Sequence, residues 1–362
     1  MDVAKLRLDA QSISLPRFTT PEQLVTHLGA VQAQDYPGAL WSIALRLTNA
    51  TRADVERAIA ERAIVRTWPM RGTLHFVPAV DARWMLETLT PRILKGAAGR
   101  HKQLELDVAA FRRSRMLITK ALTRDPVLTR PALFAVLEKG GVPTTGQRGI
   151  HILQQLSMEC TLCYGPHVVK QPTFALFDAW IPTSRTLDRD DALRTLAERF
   201  FTSHGPATIR DFIWWTGLTV ADAKVALHLA SPALQRVLSG GQELYLSTTV
   251  SFRAQSKNLH SRAQLLPGFD EFMLGYRDRS AALAPRYAER IVPGGNGMFL
   301  STLVLDGQVR GTWRRTTRAT SVAIEAIPFS RFSAADRKAF ITPLERYAKF
   351  LDAPVTLAWS NA

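Results

Sequence analysis

The chain has 362 residues, 46% of them hydrophobic, and carries 46 Lys and Arg against 31 Asp and Glu, a net charge of +15. That length asks for two to four cores, and no apolar run approaches the roughly 20 residues that cross a bilayer. Two cysteines exclude a disulfide scaffold and fit a reducing compartment. The segment Met1–Arg7 lacks the charged-then-apolar order of a signal peptide. The cationic excess points to a polyanionic partner whose binding salt would weaken, although an arginine-rich protein without such a partner shows the same count. Basic clusters are dispersed, at Arg112-Arg113-Ser114-Arg115, at Arg277 with Arg279, and at Arg314-Arg315 with Arg318. Dispersion favours a folded, arginine-lined groove over a disordered basic arm.

The first predicted helix opens at Thr20-Pro21-Glu22-Gln23, with Thr at N-cap, Pro at N1 and Gln at N3, and continues through Leu24, Val25, Leu28 and Val31 at helical spacing. It gives way to an extended stretch containing Gln32-Ala33-Gln34. Thr51-Arg52-Ala53-Asp54 caps a second helix. Residues 64–77 then read as strand, turn, strand, broken at Pro69 to Gly72. The order recurs more loosely further on: an amphipathic stretch from Phe111 to Leu122, a capped start at Thr129 ended by Gly140-Gly141, and a helix from Gly149 to Met158. A hairpin from Thr161 to Phe177 turns near Gly165-Pro166. A third pass is sharper, with a helix from Arg194 to Phe201, a cap at Thr208, a turn at Gly217, a cap at Thr219 and a strand pair turning at Gly240-Gly241.

Helix, turn, helix and hairpin is the winged-helix order. Its recurrence predicts an α+β chain with tandem winged helices at 1–105, 106–183 and 184–256. The plainer alternative is an irregular α+β protein with no DNA surface. The remainder, 257–362, reads as a β-rich domain: a hairpin at Asp306-Gly307, a strand from Ser321 to Ile327, one long helix from the Ser333 cap to about Leu351, and a strand from Val355 to Trp359. The glycines of Pro293-Gly294-Gly295-Asn296-Gly297 open no helix and precede no Lys-Ser/Thr, which argues against phosphate cradling.

Gln32 and Gln34 are the leading candidates for chemistry. Spacing of i and i+2 in an extended segment sends both carboxamides to one side. The ordinary reading is two amides tying a helix end to a loop. The functional reading needs a reaction for which an amide suffices. Amides are poor general bases, so peptide or phosphate hydrolysis fits badly. Cleaving the glycosidic bond of an N7-alkylated purine fits better, because that base is already cationic and departs neutral. What remains is to place a water and stabilise an oxocarbenium sugar with carbonyl dipoles.

Three segments carry a family resemblance: Val31-Gln32-Ala33-Gln34-Asp35-Tyr36-Pro37, Arg66 to Pro78, and Leu266 to Arg279. They resemble the AlkZ-type family of bacterial tandem winged-helix DNA glycosylases, whose relatives include YcaQ. The likeness spans nearly the whole chain. It implies three winged helices in a C-shape plus the C-terminal β domain. It also implies excision of N7-alkylguanines and unhooking of azinomycin-type interstrand crosslinks, without metal or organic cofactor. In the AlkZ branch the catalytic motif is Gln-x-Gln, and Gln32 and Gln34 fall on it; the YcaQ-like branch has Gln-x-Asp there. The expected partner is double-stranded DNA carrying alkylated purines, with no membrane association, and the expected setting is the bacterial cytoplasm, at the nucleoid during repair.

Other candidates follow. Arg71 and His75 on the first wing are expected to contact DNA, or His75 points outward from an exposed strand. Asp270 is expected to support the active site, or the Asp270-Glu271 pair caps a turn. Arg277 and Arg279 are candidate phosphate clamps. Cys160 and Cys163, flanked by His151 and His167, do not make a metal site: zinc wants four convergent ligands, and i, i+3 around a strand entry diverge. Trp214 and Trp215 are expected in the core of the third helix pair. Three winged helices on one chain favour a monomeric clamp. A non-enzymatic winged-helix transcriptional regulator is the alternative, although regulators usually bind palindromes as dimers and no zipper is present. An RNA-binding adaptor has only the charge in its favour.

Overall fold

The computed structural model describes residues 1–169, 171–249 and 262–360; the expected domain boundary at 256/257 lies outside the described residues. The chain is a mixed α+β protein that divides into two compact units, Met1–Val55 with Leu193–Ala362, and Glu56–Ala192.

In the second unit, strands Ile64–Met70 and Thr73–Pro78 form the expected antiparallel pair. Their register runs from Ile64↔Pro78 to Thr67↔His75, breaks, and resumes at Met70↔Thr73. Pro69 sits in the break because it has no N–H to give the ladder. Arg71 at φ +54° and Gly72 at φ +69° make the two-residue turn, the backbone sign that matches strand twist in tight hairpins. Helices Val108–Arg124, Arg130–Lys139 and Arg148–Met158 follow, the middle one capped by Thr129. Strand Thr173–Leu176 pairs with Leu162–Tyr164 and also with Leu128–Thr129, two residues the sequence did not mark as strand. Trp68, Ile118, Leu133, Ile152, Leu156 and Phe174 fill one apolar core beneath these elements.

The first unit joins the two ends of the chain. Helix Pro21–Leu28 has Thr20 as N-cap, accepting from the Gln23 N–H at 3.3 Å. The Gln23 carboxamide reaches back one residue further than a simple capping box, accepting from the Thr19 N–H at 3.3 Å. The helix ends at Leu28 because Gly29 turns to φ +79°, so Val31 lies in the short strand Val31–Gln32 and not on the helix. Helix Tyr36–Ala44 follows. Later, Thr208 and Asp211 complete a reciprocal cap on helix Ile209–Thr216, Gly217 closes it at φ +75°, and Thr219 caps Val220–Ala230. The hairpin Leu234–Ser239 with Gln242–Ser247 turns on Gly240-Gly241.

A five-stranded sheet completes this unit in the order Val355–Trp359, Val322–Pro328, Gln308–Thr317, Thr302–Leu305, Ala263–Leu266. The Asp306-Gly307 hairpin forms as expected, with φ +51° and +83°. The long helix predicted from Ser333 to Leu351 is instead two, Ala334–Ala339 and Ile341–Leu351. Pro343 explains the break: it gives no N–H to the Ala339 carbonyl, and its ring crowds that group. Trp41, on the Tyr36–Ala44 helix, packs edge-on to Tyr347 at 4.9 Å and donates its indole N–H to the Leu265 carbonyl at 2.8 Å. The Arg346 guanidinium caps the end of the same helix through the Leu45 and Leu47 carbonyls. These contacts bring the segment after Leu266 beside Gln32, 239 residues away in sequence.

Candidate active site

Gln32 leaves the short strand buried, at 6% exposure, and Gln34 is exposed two residues later. The predicted shared face is real: Gln32 Nε2 donates to Gln34 Oε1 at 2.8 Å. Donation into that carbonyl polarises it, and its second lone pair and the Gln34 N–H groups stay at the accessible end of the pair. The backbone beneath is pinned. The Gln32 N–H donates to Glu271 Oε1 at 2.9 Å, and Glu271 is fully buried. Its other oxygen accepts the Trp215 indole N–H at 3.0 Å and lies 3.4 Å from His204 Nε2.

Asp270 does not touch either glutamine. It caps the short helix Glu271–Leu274 by accepting from the Phe272 N–H at 3.0 Å. Both its oxygens also bond the Arg46 guanidinium at 2.8 Å, and Ser42 Oγ donates to it at 2.7 Å. Arg46 and Asp270 are both buried, and such a pair is tolerable only with this many hydrogen bonds. Arg46 passes the network to Gln11 Oε1 at 2.9 Å, Gln11 Nε2 donates to the Tyr276 hydroxyl at 3.0 Å, and Tyr276 donates to the His204 carbonyl at 2.8 Å. The Asp270-Glu271 dipeptide is thus one corner of a polar frame that returns to itself at His204. Arg7 lies 3.7 Å above the Tyr276 ring, and burial pushes that phenol well up from its ordinary value.

Sequence reading missed Gln11, Ser42, Arg46, His204, Glu271's role and Trp215's role. One signal was available. Arg46 stands alone in Ile43-Ala44-Leu45-Arg46-Leu47, and a cation in so apolar a run needs a buried carboxylate. Nothing local says which carboxylate.

The remaining candidates divide. Arg71 lies in the hairpin turn, with its Nη2 3.3 Å from His75 Nε2. His75 is buried, and its Nδ1 faces the Thr73 carbonyl at 3.0 Å. The alternative reading of an outward His75 is therefore corrected: the ring is folded inward beneath Arg71, which also withdraws the residue expected to contact DNA from the surface. Arg277 is exposed, at the rim of a cleft of about 540 Å³ with Arg210, Gln242 and Glu243. Arg279 is partly withdrawn: its Nε donates to the Met273 carbonyl at 2.7 Å, and its guanidinium lies 4.8 Å from the Phe299 ring. Burial lowers its pKa from the ordinary arginine value. The two tryptophans also separate. Trp215 is core, whereas Trp214 is 41% exposed, which corrects its placement; its indole N–H donates to the Leu274 carbonyl at 3.0 Å. Cys160 sits at φ +54° before the strand holding buried Cys163. Burial pushes the Cys160 thiol up to about 11 and raises Cys163 further, which is the opposite of a ligand or nucleophile.

A polarised carboxamide pair with one amide at the surface, backed by a buried polar frame, belongs on a protein whose class the whole chain defines: it is a member of the DNA glycosylase AlkZ-like family, whose model matches residues 25–350. The chain is similar to the interstrand DNA cross-link repair glycosylase of Streptomyces sahachiroi, 27% identical over 325 residues, with 85% of this chain and 85% of that protein covered. The solved structure of Streptomyces sahachiroi DNA glycosylase AlkZ shares the fold, with a TM-score of 0.77 at 23% identity, over 99% of this chain and 98% of that one.

Proposed function

We propose that this chain is a monofunctional DNA glycosylase that hydrolyses the N-glycosidic bond of N7-alkylated purines, with unhooking of azinomycin-type interstrand crosslinks within its scope. The observation that carries the reading is the Gln32–Gln34 bond of 2.8 Å, with one amide at the surface and the other fixed from below. The alkylated base leaves as a neutral molecule, so the protein need not protonate it. Gln34 holds the attacking water, and the carboxamide oxygens stabilise the sugar cation as it forms. A crosslinked base is tethered to both strands and cannot swing out freely, so a pair that acts on the sugar face suits it.

DNA is held by Arg71, Arg277 and Arg279, with His75 orienting Arg71 from beneath rather than meeting phosphate itself; Asp270 supports the site through Arg46. The chain works as a monomer, without cofactor, on alkylated double-stranded DNA in the bacterial cytoplasm. We read 1–105, 106–183 and 184–256 as three winged helices that precede the β-rich domain 257–362 in sequence. The net charge of +15 and the relative named for cross-link repair support this assignment. The test is release of N7-methylguanine from a defined duplex, and breakage of an azinomycin-type crosslinked duplex after alkali. Intact strands in both at stoichiometric protein overturn the reading, and sequence-selective binding of undamaged duplex then points to a regulator.

A further inference from the structure

The carboxylate under Gln32 carries more than packing. Glu271 accepts at both oxygens, from the Gln32 N–H at 2.9 Å and from the Trp215 indole at 3.0 Å. Gly29, which ends the helix before Gln32, leaves the room for that indole: a Cβ there would lie 3.2 Å from the Trp215 ring. Behind Glu271, His204 is held by its neighbours. Ser203 Oγ has one proton and gives it to the Arg199 carbonyl at 2.7 Å, so at 2.8 Å it accepts from His204 Nδ1–H. The ring is stacked on Phe200 at 4.8 Å, and Gly275 leaves space for its edge, since a Cβ there would lie 2.6 Å from His204 Cδ2. With Nδ1 turned to Ser203, Nε2 faces Glu271 Oε2 at 3.4 Å.

We propose that Glu271 is a positioning residue for the Gln32–Gln34 pair, holding it in place through the Gln32 backbone N–H. The inference rests on the reading of Gln32 and Gln34 as the catalytic amides.

The experiment is single-turnover release of N7-methylguanine by the full chain, with duplex Kd and Tm measured beside it. A carboxamide at 271 has one acceptor oxygen for two N–H donors. Glu271→Gln is therefore expected to slow release about 10–100-fold with Kd within about twofold, the scale of a lost preorganised contact. Adding Trp215→Phe removes the competing donor, and the double variant is expected to recover at least part of the rate. A double variant no faster than Glu271→Gln overturns the proposal, as does a Glu271→Gln variant that melts near the wild type and releases base at the wild-type rate. Gln34→Ala separates the two levels. If it is inactive while Glu271→Gln is normal, only the positioning role fails; if Gln34→Ala is fully active, the catalytic reading fails with it.

Discussion

Two buried acidic residues, one in each compact unit, show how differently the chain treats charge. Asp81, in the Glu56–Ala192 unit, is 1% exposed, but its arginine partner Arg185 is about half exposed and meets it at 2.7 Å. Asp270, in the other unit, is 1% exposed and faces an Arg46 that is 0% exposed. The first pair lets its cation keep water, so it costs little to form and fixes little. The second is fully desolvated, which is expensive and unforgiving of any misplaced partner. A chain accepts such a pair where backbone position matters more than stability, and Asp270 is the residue next to the one that holds Gln32.

The sharpest way to break this contrast is Asp270→Ala. It strands a buried guanidinium, and a loss of about 3–5 kcal/mol is expected from denaturant unfolding. A loss under 1 kcal/mol would show that the pair is not desolvated as described.

The second prediction concerns pH in the same unit. His27 Nε2 donates to the Ala10 carbonyl at 2.7 Å, and burial pushes its pKa from 6.5 to about 4. Between those values the unfolded chain binds a proton that the folded chain refuses. Its contribution is therefore complete above about pH 6.5 and is lost as pH falls toward 4, by about 3 kcal/mol in total. Thermal melts across this window should show the slope, and His27→Gln should flatten it.

Asp81→Ala completes the comparison with a smaller effect. Arg185 turns to solvent, while the Trp84 indole N–H loses its 2.9 Å acceptor. A cost of about 1–3 kcal/mol is expected, below that of Asp270→Ala in the same assay. The smallest effects belong to the surface arginines. Arg71→Ala and Arg277→Ala should each lower the slope of log affinity against log salt by about 1 for undamaged duplex. An unchanged slope removes that residue from the phosphate contacts.

The local signals in the sequence were good because local chemistry decides caps and turns. Thr20, Thr129, Thr208 and Thr219 each start a helix where read, and Asp306-Gly307 turns its hairpin. The errors lie where one residue overrode a pattern: Gly29 stopped a helix short of Val31, and Pro343 split another. The glutamine pair was legible because its geometry follows from i, i+2 spacing alone. Its supports were not. Glu271, His204, Trp215 and Arg46 reach the site from segments far apart in sequence, joined by tertiary contacts such as the Trp41 packing on Tyr347 and the stacking of Phe200 on His204. Trp214 and Trp215 show the same limit: adjacent letters with one value in any pattern, yet one is in the core and the other at the surface.

The most direct measurement is single-turnover release of N7-methylguanine by Gln34→Ala against wild type, with duplex binding followed in parallel. The account predicts a rate lower by on the order of 10²–10³-fold with binding within about twofold. Release at the wild-type rate by Gln34→Ala would contradict it, because the polarised amide would then have no part in breaking the bond.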